Sequence, residues 1–195
     1  MGKLIYSLSV SLDGFAESAS RSLDWVQVDE ELHTFFNDQS REISASLYGR
    51  RMYELMFGYW PTAGADPAAT PAEVEFAGIW KRIPRVVFST TLGQVDPGSR
   101  LVHSDAAEEV ARLKEQPGYD MDVGGPTLAS TLMRAGLIDE YRLFVHPIIL
   151  GAGTPFFAPL DNQVPLRLRE TRTFGSGVVY LRYEVSPPGG KALAS

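Results

Sequence analysis

Two segments of this chain are suited to hold phosphate. The first is Tyr48-Gly49-Arg50-Arg51-Met52-Tyr53-Glu54, where a strand pattern gives way to a helix pattern. A helix start at the carboxyl end of a parallel strand presents free N–H groups and the positive end of the helix dipole. Gly49 admits a close backbone approach, and the guanidinium groups of Arg50 and Arg51 can fork onto phosphate oxygens. The same arginines oppose the dipole, a small cost that a bound anion would offset; a solvated basic first turn is the alternative. The second segment, Val123-Gly124-Gly125-Pro126-Thr127-Leu128, has the same order of strand, glycine and helix. Two glycines let backbone lie against a pyrophosphate, and Thr127 adds a hydroxyl. It lacks the GxGxxG fingerprint, and a Gly-Gly turn by itself is more often structural. Together the two junctions suit the two ends of one dinucleotide.

Other groups carry weaker signals. Ser89 and Thr90 close the apolar run Val86-Val87-Phe88, where hydroxyls can meet a ribose or its 2′-phosphate, or simply make a turn. Glu30 and Glu31 lie near Trp25 and Phe35, and a carboxyl group against aromatic walls can be raised in pKa to become a proton donor. As acids at a helix start they also suit the dipole, so a surface role stands beside the catalytic one. Gly151-Ala152-Gly153-Thr154-Pro155-Phe156-Phe157 reads as a wedged turn, and His33, His103 and His146 as structural residues. Ser176, between Gly175 and Gly177, lacks the strand-to-helix setting of a hydrolase nucleophile. With no cysteine and three scattered histidines, no metal site is expected.

The elements that must position these groups follow from periodicity. Leu4, Tyr6, Leu8 and Val10 alternate with Ile5, Ser7, Ser9 and Ser11, a strand signature, and Asp13-Gly14 marks a turn. Residues 17–22 read as loop; 29–43 as an amphipathic helix capped by Asp29; 44–48 as a strand; 50–57 as a helix; 61–71 as a flexible connection. A helix over 73–82 and a strand over 85–89 follow, then a helix capped by Ser104 and running to 116, with Glu108 and Arg112 paired outside. A strand over 120–123, a helix from Pro126 to Gly136, a strand over 141–145 and a hairpin of 166–174 with 178–185 complete the pattern. Strands alternating with helices call for an α/β fold with a mostly parallel sheet covered on both faces. One domain over residues 1–186 is expected, followed by a disordered tail at 187–195.

Composition narrows the class. With 195 residues, 44% hydrophobic, the chain can bury a substantial core. A formal net charge of -6 without a Lys/Arg run argues against a nucleic-acid partner and leaves an anionic ligand dependent on a local basic pocket. The opening segment lacks a signal-peptide pattern, no run of about 18 apolar residues suits a membrane helix, and the absence of cysteine fits the cytoplasm.

In this order the segments resemble the dihydrofolate reductase-like superfamily, and within it the C-terminal reductase domain of the bifunctional riboflavin-biosynthesis deaminase-reductase (RibD). The carrying motifs are Ser11-Leu12-Asp13-Gly14-Phe15-Ala16, Gly49-Arg50-Arg51-Met52-Tyr53-Glu54, Ser89-Thr90-Thr91-Leu92, Val123-Gly124-Gly125-Pro126-Thr127-Leu128, and Leu137-Ile138-Asp139-Glu140 leading to His146-Pro147-Ile148-Ile149-Leu150-Gly151-Ala152-Gly153. The resemblance covers most of residues 3–185. It implies a three-layer α/β fold with a central, mostly parallel sheet of eight or nine strands and a C-terminal antiparallel hairpin. It also implies NADPH across the sheet: Gly49, Arg50 and Arg51 on the phosphates, Ser89 and Thr90 by the adenosine ribose, Val123, Gly124, Gly125, Thr127 and Leu128 at the pyrophosphate, Phe15 and Ala16 by the nicotinamide. The substrate would lie among Trp25, Glu31, Phe35, Met52 and Met56, with Glu30 or Glu31 as the acid of the first helix. Hydride transfer to 5-amino-6-(5-phosphoribosylamino)uracil is the first activity implied, dihydrofolate reduction the second, and a homodimer the expected assembly. Val179, Leu181 and Tyr183 of the last hairpin would serve either that interface or the core. The competing reading is a dinucleotide-binding protein without turnover. Lacking cysteine, the chain lacks the thiolates of the fused zinc deaminase.

Overall fold

In the computed structural model the described residues are 1–186, so the tail expected at 187–195 lies outside them. The opening alternation becomes strand β1 (Leu4–Ser11). Its Leu4, Tyr6 and Val10 enter the largest core cluster, whereas Ile5, Ser7 and Ser9 face a cavity. After it come β2 (Phe15–Ser18), α1 (Glu30–Arg41), β3 (Ala45–Gly49), α2 (Arg50–Ala63) and α3 (Pro71–Arg82). Next are β4 (Arg85–Phe88), β5 (Ser99–Val102), α4 (Ala106–Lys114), β6 (Met121–Gly124) and α5 (Pro126–Arg134). The chain continues through β7 (Glu140–His146), β8 (Gly153–Pro155), β9 (Leu166–Thr173) and β10 (Val179–Val185).

Eight strands form one sheet in the order β5-β4-β3-β6-β1-β7-β10-β9, and β2 pairs with β8 in a second, small sheet. Strands β5 to β7 in that order are mutually parallel, while β10 runs antiparallel to both β7 and β9. Helices α4 and α5 cover one face: Val110, Leu113, Leu128 and Leu132 pack there against Leu4, Tyr6, Leu47 and Val123. On the other face α1 brings Leu32, Phe35 and Phe36 onto Phe144 and Tyr180, and α2 brings Tyr53 onto Tyr48 and Val87.

Several boundaries differ from the sequence expectation. Helix α2 runs past 57 and through Pro61. Its last turn is held by aromatic packing, with Trp60 edge-on to Phe76 of α3 at 4.4 Å, which outweighs one missing backbone bond. The cap of α4 is Asp105, whose Oδ1 accepts from the N–H groups of Ala107 and Glu108, and not Ser104. Arg112 pairs with Glu109 instead of Glu108, because Glu109 also meets Arg100 across from β5. Residues 17 and 18, expected as loop, belong to β2. That strand pairs with β8 inside the glycine-rich 151–157 segment, so the expected wedged turn is partly strand.

The wall that α1 and α3 make depends on a buried amide. Asn37 is fully enclosed, and its Nδ2 donates to the Ala72 carbonyl and to Glu75 Oε2, both at 2.9 Å. Asn37→Ala is expected to cost about 1–3 kcal/mol, lowering Tm by roughly 2–4 °C per kcal/mol. A thermal melt indistinguishable from the parent would show that the amide does not hold the two helices together.

Candidate functional site

The phosphate-suited junctions end neighbouring strands. Tyr48 of β3 is in register with Gly124 of β6, and Gly49 with Phe88 of β4. Ser89, Gly49 and Gly125 therefore lie at the carboxyl ends of three adjacent strands, a row spanning about 10 Å at the usual interstrand spacing. Helices α1, α3 and α4 carry side-chain caps, from Asp29, Thr70 and Asp105, but α2 and α5 start at Gly49 and Gly125 without one. Gly125 has φ +94°, which an L side chain rarely adopts. A Cβ on Gly124 would stand 3.0 Å from Met52 Cγ and from the Tyr48 ring. Only bare backbone fits at this corner.

The arginine pair is split by its neighbours. Arg50 Nε binds Glu54 at 2.7 Å and its Nη1 donates to Thr91 Oγ1 at 3.0 Å, which places it toward β4. There Ser89 Oγ accepts from the Thr91 and Leu92 N–H groups, and His103 Nδ1 lies 2.7 Å from the Ser89 carbonyl. Arg51 points the other way, binding both oxygens of Glu17 on β2 and donating to the Arg21 carbonyl. Thr90 and Thr127 are exposed, whereas the side chains of Val123 and Leu128 lie in the core and leave only backbone to a ligand.

Next to β6 the sheet opens. Strand β1 pairs with β6 only at Leu4, Ile5 and Tyr6, yet with β7 from Ile5 to Ser11. Beyond Tyr6 one edge of a central strand is thus free of β6. Two loops border this opening. Asp13 clamps them: it accepts from Ser11 Oγ at 2.7 Å and from the N–H groups of Leu150 and Gly151 at 3.1 and 2.7 Å. The Ser11 hydroxyl lowers the Asp13 pKa, keeping the clamp charged. Phe15 N–H donates to Ser11 Oγ, so Phe15 and Ala16 are set beside the end of β1.

A cavity of about 510 Å³ lies between that strand and helices α1 to α3. Phe36, Trp60, Phe76 and Phe144 form aromatic walls. Ser7, Ser9, Gln39, Asp122 and Arg142 supply a polar floor, and Glu30, His33 and Glu73 also reach it. Asp122 Oδ1 is fully buried and has no hydrogen-bond partner. Burial pushes the Asp122 pKa up to about 6, against the opposing pull of Ser46 and Arg142. Burial also lowers the His33 pKa, so that imidazole is neutral near pH 7.

The sequence-based candidates sort as follows. Glu30 and Met56 line the cavity. Glu31 does not: its carboxylate accepts from Arg172 at 2.8 Å and from Gly175 N–H at 3.2 Å, and the Arg172 bond lowers its pKa. Phe35 packs among Phe144, Phe174 and Tyr180, and Met52 against Gly124 and Gly125. Trp25 stands edge-on to His146, its indole N–H buried without a partner. Sequence reasoning missed Asp122 and Arg142. The available signal was charge inside strand patterns: Met121-Asp122-Val123 and Tyr141-Arg142-Leu143.

Among the described residues, no group of three or more His, Asp or Glu could hold a metal ion, and no helix is long and apolar enough to cross a membrane. The architecture is that of dihydrofolate reductases: the Enterococcus faecalis dihydrofolate reductase, solved with NADP(H), superposes with a TM-score of 0.62 at 18% identity over 95% of this chain and 98% of that one. The diaminohydroxyphosphoribosylaminopyrimidine deaminase/5-amino-6-(5-phosphoribosylamino)uracil reductase of Thermotoga maritima gives 0.66 at 15% identity, over 95% of this chain and 57% of that one. Residues 2–180 match the model of the RibD C-terminal domain, and the chain belongs to that family. The uncharacterised protein YyaP of Bacillus subtilis is 36% identical over 185 residues, 93% of this chain and 94% of that protein.

The buried carboxyl has a thermodynamic signature. A raised pKa means that the folded chain keeps a proton that the unfolded chain has lost. Asp122 therefore contributes less stability as pH rises from about 4 to about 6, and stays at the lower level above. Asp122→Asn is expected to raise Tm relative to the parent at pH 7.5 and to leave it unchanged or lower at pH 4. Equal differences at the two pH values would mean an unperturbed carboxyl.

Proposed function

We propose that this chain is an NADPH-dependent reductase acting on a small planar heterocycle. The observation that carries the reading is the row of bare helix starts and hydroxyls at the ends of β4, β3 and β6, beside the opening where β1 loses its β6 partner. The corner fits a dinucleotide. Gly124 and Gly125 let a pyrophosphate approach the uncapped start of α5, and Thr127 stands exposed in its first turn. Arg50 with Ser89, Thr90 and Thr91 makes an exposed basic, hydroxyl-rich cluster suited to an adenosine 2′-phosphate. Phe15 and Ala16 would flank the nicotinamide where β1 is free of β6.

When bound, NADPH supplies a hydride to a C=N or C=O carbon. The residues of the chain do the rest. The cavity walls hold a flat ring and exclude water; Ser7 and Ser9 offer hydroxyls from the strand. The Asp122 carboxyl lines the cavity, and burial pushes its pKa up to about 6, which suits it to supply a proton to the atom that takes up the π electrons. Glu30 is the other acid at hand, from α1, and Glu31 is tied to Arg172. The pyrimidine of riboflavin synthesis and dihydrofolate, the two substrates implied by the family resemblance, are the reference compounds for an assay of NADPH oxidation, beside simpler planar heterocycles.

The homodimer implied by the family resemblance would use the outer strands, where Leu166 and Leu168 are exposed. Sedimentation as a monomer at tens of micromolar would remove it. The split arginines give the sharper test. Arg50→Ala is expected to weaken NADPH by about 10–100-fold, the worth of charge-assisted hydrogen bonds, with NADH affinity changed by less than about threefold. Arg51→Ala is expected to weaken both coenzymes alike. Calorimetry reads both. No uptake of NADPH by the folded parent would end the reductase reading, and equal losses for the two coenzymes in Arg50→Ala would move the 2′-phosphate elsewhere.

A further inference from the structure

The charges around the cavity are lopsided. Four carboxyl groups line it, those of Asp29, Glu30, Glu73 and Asp122, against one guanidinium, Arg142, and the neutral His33. Arg142 is already engaged: its Nε donates to Glu140 Oε1 at 2.6 Å, and both side chains are buried. No lysine and no other arginine lines the cavity among the described residues.

Two helix starts meet at this cavity and could have drawn an anion. Both are filled by the chain itself. Asp29 Oδ1 accepts from Leu32 N–H at 2.8 Å at the start of α1. At the start of α3, Glu73 Oε2 accepts from Thr70 N–H at 2.7 Å while the Thr70 hydroxyl accepts from Glu73 N–H. The dipole ends that would stabilise a phosphate are thus spent on carboxylates that repel one. Deeper in, Asp122 adds its carboxyl to the lining, with Oδ1 buried and without a hydrogen-bond partner. An aromatic box with acidic corners has the opposite preference, for flat rings bearing a positive charge or a row of N–H donors.

We infer that the substrate of this site is a phosphate-free, planar, weakly basic heterocycle, held by its N–H edge against the Asp122 carboxyl between the aromatic walls. The inference rests on the reading above that this cavity takes the substrate. It separates the chain from a reductase whose substrate carries a ribose phosphate, and equally from one whose substrate carries a carboxylate tail into this cavity. Phosphate recognition is left to the coenzyme edge, where Arg50 and Arg51 stand.

A series of one ring with four charges tests this on the intact chain: benzamidine, benzamide, benzoate and phenyl phosphate, titrated by calorimetry at pH 7.5 with and without NADPH. Benzamidine is expected to bind at least about tenfold more tightly than benzamide, and the two anions not measurably, since like-charge contacts cost several kcal/mol. In Glu30→Gln/Glu73→Gln, which keeps the capping geometry, benzamidine is expected to weaken and its advantage over benzoate to narrow at least about fivefold. Phenyl phosphate or benzoate binding as well as benzamidine would overturn the inference. So would benzamidine failing to bind at 10 mM, or binding unchanged in the double variant, which would put it elsewhere. NADPH uptake without any aromatic probe reports on the reductase reading separately. A chain that takes up NADPH yet prefers phenyl phosphate loses only the charge assignment.

Discussion

Everything in this molecule is arranged around a mismatch between two neighbouring strands. β6 ends at Gly124, while β1 beside it runs on to Ser11, so they share three register positions where β1 and β7 share seven. In a parallel sheet a central strand normally has a partner on both sides, and an unpaired edge leaves backbone groups needing hydrogen bonds. Here that edge lies between the glycine corner and the cavity. On one side lie the glycines and the uncapped start of α5; on the other lies the cavity, which reaches Ser7, Leu8 and Ser9 of the unpaired stretch. Leu8 packs with the core under α4 and α5 yet also lines the cavity, so the cavity reaches the plane of the strand itself.

The same face of the sheet carries an unusual load of charge. Glu140 is fully buried and is met by Arg142 at 2.6 Å and by Arg182 Nη2 at 3.1 Å, with Lys3 3.9 Å away. Desolvating such a group costs several kcal/mol, and one partner alone seldom repays it; two guanidinium groups and an amine make the burial sustainable. The arrangement also fixes the Arg142 side chain at the cavity floor, with its charge balanced before any ligand arrives. Asp122 on the neighbouring row has only the weaker pull of Ser46 and Arg142, which burial outweighs, so its pKa rises. Stability alone would favour an apolar residue there.

Much of this was legible in the sequence, and the parts that were not share a cause. The layer order, the parallel sheet, the final hairpin, the cap of α1 and the start of α5 follow from periodicity, from Asp29, and from Gly125 and Pro126. Strands β2, β5 and β8 have three or four residues each, too few for an alternating pattern to register. They exist because of tertiary partners. The two strand-to-helix junctions stood out because glycines, and at one of them arginines, sit at the boundary, and both helices indeed start there without a side-chain cap. The cavity was harder to see, since its residues come from β1, β6, β7 and three helices and no two elements spell it out. One hint lay in plain view. Ser7 and Ser9 interrupt what should be an apolar face of a central strand, and Asp122 and Arg142 do so on its two neighbours. The acids of the first helix drew attention because they are adjacent in sequence, yet the hairpin turn claims Glu31 through Arg172 and Gly175, a contact across 141 residues that no local pattern contains.

Helix α2 is what joins the two halves physically. Its first turn carries Arg50 and Arg51 and places Met52 against Gly124 and Gly125, and one turn further Met56, then Tyr59 and Trp60, wall the cavity. As one packed rod the helix carries Trp60 onto Phe76 of α3, and ending it at 57 would take Trp60 out of the cavity's aromatic wall. The methionines suit the inner face of such a rod, because an unbranched thioether adapts to small shifts that a branched side chain would resist.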